Sequence, residues 1–180
     1  AAGDLALYLN LMCGATFKIV SDVDLPRNDG TAYISIGRTA LLAASTCAWR
    51  NDDLAAEGYA IEVVGRNVYL YGGRGRGLMH GVYSLLEEDL GCRWYATTSV
   101  DTPRIDRLSV SLVPRRVLPV LTLRDPYIHT MHDPNWSLKN KTNTPHARVP
   151  MAWGGSIRYH NMGHTYARYF PTAQYFAEHP

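Results

Sequence analysis

The chain has 180 residues, is 46% hydrophobic and carries a formal net charge of +2, enough for one domain with a real core or one domain plus part of another. Lys and Arg are scattered and form no stripe, which excludes the charge pattern expected for nucleic acid or an anionic membrane surface. No apolar run approaches the ~20 residues that span a bilayer, and no charged-then-apolar leader opens the sequence, so a soluble chain without its own export signal is expected.

The predicted elements begin with Leu5, Leu9 and Met12, which share one helical face that Gly14 can close. The apolar run Phe17 to Val20 predicts a strand fed by that helix, and Ala32 to Ile36 a second, buried strand ended by Gly37. Thr39 is placed to cap a short helix over Leu41 and Leu42. Tyr59 to Val64 and Val68 to Tyr71 flank the polar Gly65-Arg66-Asn67, which suits a hairpin with a three-residue connection.

Between this hairpin and the next helix lies Gly72-Gly73-Arg74-Gly75-Arg76-Gly77. A phosphate cradle needs converging backbone N–H groups at a helix start, and its two signatures are GxGxxG and GxxxxGK[ST]. Neither is present, because His80 stands where the third glycine would be and no Lys-Ser or Lys-Thr pair follows. The glycines therefore predict a sharp strand-to-helix corner, with Gly81 letting the helix lie close on the sheet. Arg74 and Arg76 are expected to point outward, either solvated or facing a neighbouring domain.

From Gly77 to Leu90 the apolar positions recur at helical spacing, Gly91 stops the helix, and Leu108 to Val113 alternates as a half-buried strand does. Cys13, Cys47 and Cys92 are far apart and form no CxxC pair, so they read as small buried hydrophobes with at least one free thiol.

The composition shifts near residue 115. Six of the seven histidines (His129, His132, His146, His160, His164 and His179) and most of the prolines lie beyond Pro114, where periodicity fades. Val120 to Leu123 predicts one strand there, and the rest is expected to be loops that sit on something else. The fold class expected is α/β (α+β), a small mixed sheet with helices packed on it over residues 1–116, followed by a distinct region over 117–180.

Two stretches carry a resemblance. The hairpin "IEVVGRNVYLYG" followed by "RGLMHGVYSLLEEDLGCRWY" resembles the accessory N-terminal domain of family-20 β-hexosaminidases and bacterial α-glucuronidases, through Gly77, Gly81, Val82, Tyr83, Leu85, Leu86, Glu87, Gly91, Arg93 and Trp94. "LALYLNLMCGATFKIV" is similar to that domain's first helix, glycine and strand. The tail "HNMGHTYARYFPTAQYFAEHP" resembles the start of the barrel in a large uncharacterised bacterial family built on the same accessory domain, through His164, Thr165, Pro171, Tyr175, Phe176, His179 and Pro180.

The resemblance implies a hexosaminidase domain-2-like unit followed by the first strand and loops of an incomplete (β/α)8 barrel, since a whole barrel takes roughly 250 residues. It implies the N-terminal portion of a glycoside hydrolase-like protein acting on oligo- or polysaccharide, inactive alone, needing no cofactor, and secreted or periplasmic. Glycoside hydrolysis uses two carboxyl groups about 5 to 10 Å apart. The tail offers Asp125, Asp133 and Glu178, of which the Asp-Pro pairs read as turn chemistry, so no catalytic residue is assigned.

By position, Arg124 ends the strand taken as the first of the barrel, and in family-20 enzymes an arginine there grips sugar hydroxyls. Its other reading is a salt bridge with Asp125 or Asp133. Arg124→Ala in a longer chain is expected to weaken glycan binding with little effect on folding. Trp136, Trp153 and Tyr159 supply aromatic faces suited either to sugars or to packing. His160 and His164 are four apart and His129 and His132 three apart, but Gly163 interrupts the first pair and no HExxH glutamate accompanies them. These histidines are expected to join loops or line a polar cleft, with no metal. A stand-alone carbohydrate-binding module is the alternative, and a nucleotide-binding α/β protein the second.

Overall fold

A computed structural model describes residues 1–25, 30–109, 111–160 and 165–179. The fold is α+β. A four-stranded mixed sheet has the order β1-β3-β2-β6, with β1 Ile34–Ile36, β2 Tyr59–Val64, β3 Asn67–Gly72 and β6 Arg115–Val117. β1 runs parallel to β3, and β2 is antiparallel to both β3 and β6. A separate antiparallel pair joins β4 Arg93–Ala96 and β5 Ser99–Asp101.

Strand alternation divides the core in two. Tyr59 and Ile61 of β2 and Leu70 of β3 face α1 (Ala2–Cys13) and α3 (Gly77–Ser84), meeting Leu5, Leu9, Met12, Val82 and Leu86. Ala60, Tyr69 and Tyr71 face the other way, against Leu42 of α2 (Ala40–Ala43), Cys47 and Leu54. On that second face the buried Glu62 accepts from the Ala48 amide at 2.8 Å and from the Tyr71 hydroxyl, tying the 47–54 loop to the sheet.

Several local expectations hold. Gly14 closes α1 in the left-handed region at φ 72°, its N–H donating to the Asn10 carbonyl at 2.7 Å. Thr39 caps α2 by accepting from the Leu42 amide at 3.0 Å. Gly91, at φ 80°, ends the helix that continues from α3 as a π-turn over Leu85–Asp89. Cys47 and Cys92 are buried as expected, Cys13 is only half-buried, and all three thiols are free.

Other expectations are corrected. The hairpin turn has two residues, because Val64 pairs with Asn67 and leaves only Gly65 and Arg66 between them; Gly65 at φ 60° fits the first position of a two-residue turn. Phe17 to Val20 is not a strand. It stands off the outer edge of β1 across a cavity of about 1020 Å³ lined by Leu5, Leu9, Ile34 and Ile36, so no ladder forms. Among the described residues, Leu108 to Val113 has no strand either; Leu108 and Leu112 pack on the core as loop residues.

Val120 to Leu123 is likewise not a strand. The edge of β2 is taken by Arg115–Val117, and Pro119 lies between that short strand and the apolar run, which stays in solvent: Val120 is 96% exposed and Leu121 65%. The tail is also more helical than expected. Short 3-10 helices form at His129–His132 and Met151–Trp153, and α4 Pro134–Lys139, α5 Tyr166–Tyr169 and α6 Thr172–Glu178 follow. Among the described residues, no helix is long and apolar enough to cross a membrane.

Candidate functional site

At the glycine-rich turn between β3 and α3, the Gly73 amide donates to the Gly58 carbonyl at 2.9 Å, Arg74 to Ala55 at 3.2 Å, and Gly75 and Gly77 to Ala56 at 2.9 and 3.3 Å. These amides, the groups that a phosphate would need, are already bonded to the 55–58 loop. A Cβ on Gly73 would run into the Ala55 carbonyl oxygen, and one on Gly77 into that of Gly58. The glycines thus permit a close backbone approach, and the turn is a corner. Gly81 has the same role one turn later, where a Cβ would lie 3.2 Å from Tyr59.

The corner delivers a charge to the interior. Arg76 is 3% exposed, so of the two settings expected for it the solvated one is corrected, and it faces the 117–180 region instead; Arg74 is exposed. The Arg76 guanidinium pairs with Glu57 and donates to the Thr142 carbonyl at 3.4 Å. Glu57 also receives Arg124, and the Asn143 amide reaches its carboxylate at 3.2 Å. One carboxylate therefore gathers an arginine from the corner and an arginine and asparagine from the tail.

Burial pushes the Glu57 carboxyl up, but the hydrogen bond from Arg124 and the charges of Arg76 and Arg124 outweigh it and hold the group below its usual range. His80 lies beside this cluster, 1% exposed, with Nε2 lacking a partner among the described residues. Burial first, and then the two arginine charges, pull its imidazole down to about 4 against the opposing charge of Glu57. A neutral ring is the form that fits beside two guanidinium groups.

Arg124 spends its donors inside the chain. Its Nε donates to the Lys141 carbonyl at 2.7 Å, Nη1 to Leu121 at 2.8 Å, and Nη2 to Glu57. Its backbone N–H donates to Asn143 Oδ1 at 2.7 Å. The ion-pair partner is thus Glu57, and neither Asp125 nor Asp133. This bracket joins the 121–124 segment, the 141–143 loop and the 55–58 loop.

Trp136 is buried at 8% exposure, with Nε1 donating to the Trp94 carbonyl at 3.0 Å. Its ring packs the tail onto the α+β unit and presents no open face. Asp133 caps α4, accepting from the Trp136 amide at 2.6 Å, with Pro134 at the first helical position. Asp125 makes a local turn, accepting from the Tyr127 amide at 3.1 Å. The Asp-Pro reading as turn chemistry holds at both positions, and at Asp133 it starts a helix.

The imidazoles of His129, His132 and His146 form a chain, with ring centroids 6.2 and 5.5 Å apart, and His146 Nε2 lies 3.9 Å from Asp125. Among the described residues no group of three or more His, Cys, Asp or Glu side chains is arranged to hold a metal ion. Trp153 is 37% exposed in its 3-10 helix. His160 is exposed, and His164 lies outside the described residues, so their pairing is not described. Tyr159 is half-buried and lines a cavity of about 600 Å³ with Arg148, Met151, Ser156 and Arg158.

The structure thus brings together residues that the sequence kept apart. Glu57, Arg76, His80 and Asn143 had no motif to mark them. The one available signal was the tension of a charged residue set between glycines that must approach other backbone closely.

Compared with known proteins, the chain matches no family model, no curated protein and no solved structure.

Proposed function

We propose that this chain is a non-catalytic portion of a glycoside hydrolase-like protein acting on oligo- or polysaccharide, with the α+β unit as a hexosaminidase domain-2-like accessory domain and the tail meeting a catalytic barrel. The observation that carries the reading is apolar surface left in solvent by the tail. Val120 is 96% exposed, Tyr166 83%, Phe176 67%, and Leu121 and Tyr169 65%. No residue of α5 or α6 is buried. Helices and extended runs with this composition are expected to meet other protein.

The three tail carboxylates weighed for chemistry have local partners: Asp133 caps a helix, Asp125 receives the Tyr127 amide and Glu178 accepts from Gln174 Nε2 at 3.2 Å, while Glu57 is held by two arginines. Two acids working across a scissile bond are therefore expected in other polypeptide. Secretion or export to a periplasm accords with a polysaccharide substrate. The test is glycoside hydrolysis by residues 1–180 alone and by the same residues joined to whatever their reading frame encodes after Pro180. Cleavage by the joined form alone is expected. Enzyme-like turnover by the isolated chain, or a stop codon directly after Pro180, overturns the reading.

A stand-alone carbohydrate-binding module is favoured by one observation, the packing of residues 124–143 onto the α+β unit through Arg124, Trp136, Leu138 and Asn143. A rise in melting temperature of residues 1–180 with an oligosaccharide supports that alternative. The nucleotide reading loses its support at the glycine turn, whose amides are bonded elsewhere.

A further inference from the structure

We propose that the cavity formed by residues 145–159 is a binding site for an oxyanion, the carboxylate, sulfate or phosphate group of a small polar ligand. Its volume, about 600 Å³, lies in the range of small-molecule sites. Arg148 and Arg158 both line it, and no acidic residue does. Neither arginine has an ion pair or hydrogen bond among the described residues, in contrast to Arg76, Arg115 and Arg124, each of which is paired with a carboxylate.

Tyr159 lines the same cavity and has a buried hydroxyl with no hydrogen-bond partner among the described residues. A buried O–H without an acceptor is costly and calls for an explanation, which an acceptor supplied by a ligand provides. Burial and the charge of Asp125 push the phenol up, so it remains a donor at neutral pH. Asp125 is outside the lining and faces the Tyr127 amide and His146. Ser156 is already committed, its hydroxyl donating to the Ala147 carbonyl and accepting from the Val149 amide at 3.2 Å.

The unspent groups are therefore two guanidinium forks and one phenol, all donors. A guanidinium fork matches the paired oxygens of an oxyanion, and the phenol adds a third donor. Met151 adds an apolar wall for the body of the ligand. The inference stands apart from the glycoside hydrolase reading, because it concerns only this cavity and requires no barrel; either can fail without the other.

The test is isothermal titration of residues 1–180 at low ionic strength with sodium sulfate, inorganic phosphate, a hexuronic acid and the matching neutral hexose. Saturable binding of at least one anion is expected, with none for the hexose and with affinity falling as sodium chloride is added. Equal affinity for the inorganic ions and the hexuronic acid assigns the site to the ion itself; tighter binding of the hexuronic acid assigns it to an organic acid. Both outcomes support an oxyanion site.

Arg148→Gln with Arg158→Gln should weaken binding about tenfold or more. Tyr159→Phe should weaken it less, and Arg74→Gln, an exposed arginine outside the cavity, should leave it unchanged. Circular dichroism checks that each variant is folded, as expected because both cavity arginines are exposed. No saturable anion binding, equal binding by the double glutamine variant, or equal binding of the hexose overturns the proposal.

Discussion

At the scale of residues, the Glu57 cluster sets the chemistry of the interior. Arg76 is almost wholly buried, so removing its carboxylate leaves an uncompensated charge. Glu57→Gln is expected to cost about 3 kcal/mol, measured by urea unfolding at neutral pH. Arg124→Ala should cost about 2 kcal/mol, because it breaks the bonds to Lys141, Leu121 and Glu57 together. This replaces the sequence-based expectation that the substitution has little effect on folding. An unchanged urea midpoint for Arg124→Ala would refute the bracketing role.

His80 gives the same region a pH dependence. Its folded value of about 4 lies below its ordinary 6.5. As pH falls through 6.5 the unfolded chain takes up a proton that the folded chain accepts only near 4. Stability is therefore full above 6.5 and declines across that window, by about 3 kcal/mol at most. Glu57 acts in the same sense at more acid pH: the stability from its depressed value is present above the ordinary carboxylate range and is lost as pH falls through the folded value. His80→Leu should flatten the stability profile between pH 6.5 and 4 in urea titrations, and an unaltered profile would show that His80 is not its source.

At the scale of elements, close approach decides more than conformational freedom. Gly77→Ala should destabilise by about 2 kcal/mol or more, because the added Cβ would run into the backbone of Gly58 and Glu57, which has no flexible side-chain end to swing aside. Thermal unfolding checks this, with Gly65→Asn as a tolerated comparison, since Gly65 has a positive φ and open space around it. Asp133→Ala should cost about 1 kcal/mol through loss of the α4 cap.

The elements legible in the sequence were those whose signals are local. The helical face of Leu5, Leu9 and Met12, the Thr39 cap, the β2–β3 hairpin and the Gly91 stop each depend on residues a few positions apart. Phe17 to Val20 and Val120 to Leu123 failed because an apolar run becomes a strand only where a partner edge lies within hydrogen-bonding reach. Such an edge is a property of the fold. The candidate site was less legible still. Arg124 was singled out for its charge and place, but its partner Glu57 is 67 positions away, and nothing in the spacing joins them.

For the whole molecule, the exposures separate a held part from an unheld one. Residues 124–143 are tied to the α+β unit through Glu57, Trp94 and Glu87. α5 and α6 bury nothing. Limited proteolysis should cut first within residues 118–120 or 165–179 and leave the sheet and its helices intact. First cuts inside β2 or β3, with the tail uncut, would contradict this division.

Glu57 lies 19 positions from Arg76 but 67 from Arg124. The nearer pair needs only the hairpin and its corner to form, whereas the farther one must first close a long loop, at greater entropic cost. Assembly is thus expected to be ordered, with the hairpin and corner making a receptor to which the tail attaches late. Loss of the Arg124 side chain should accordingly hasten unfolding while leaving the refolding rate nearly unchanged.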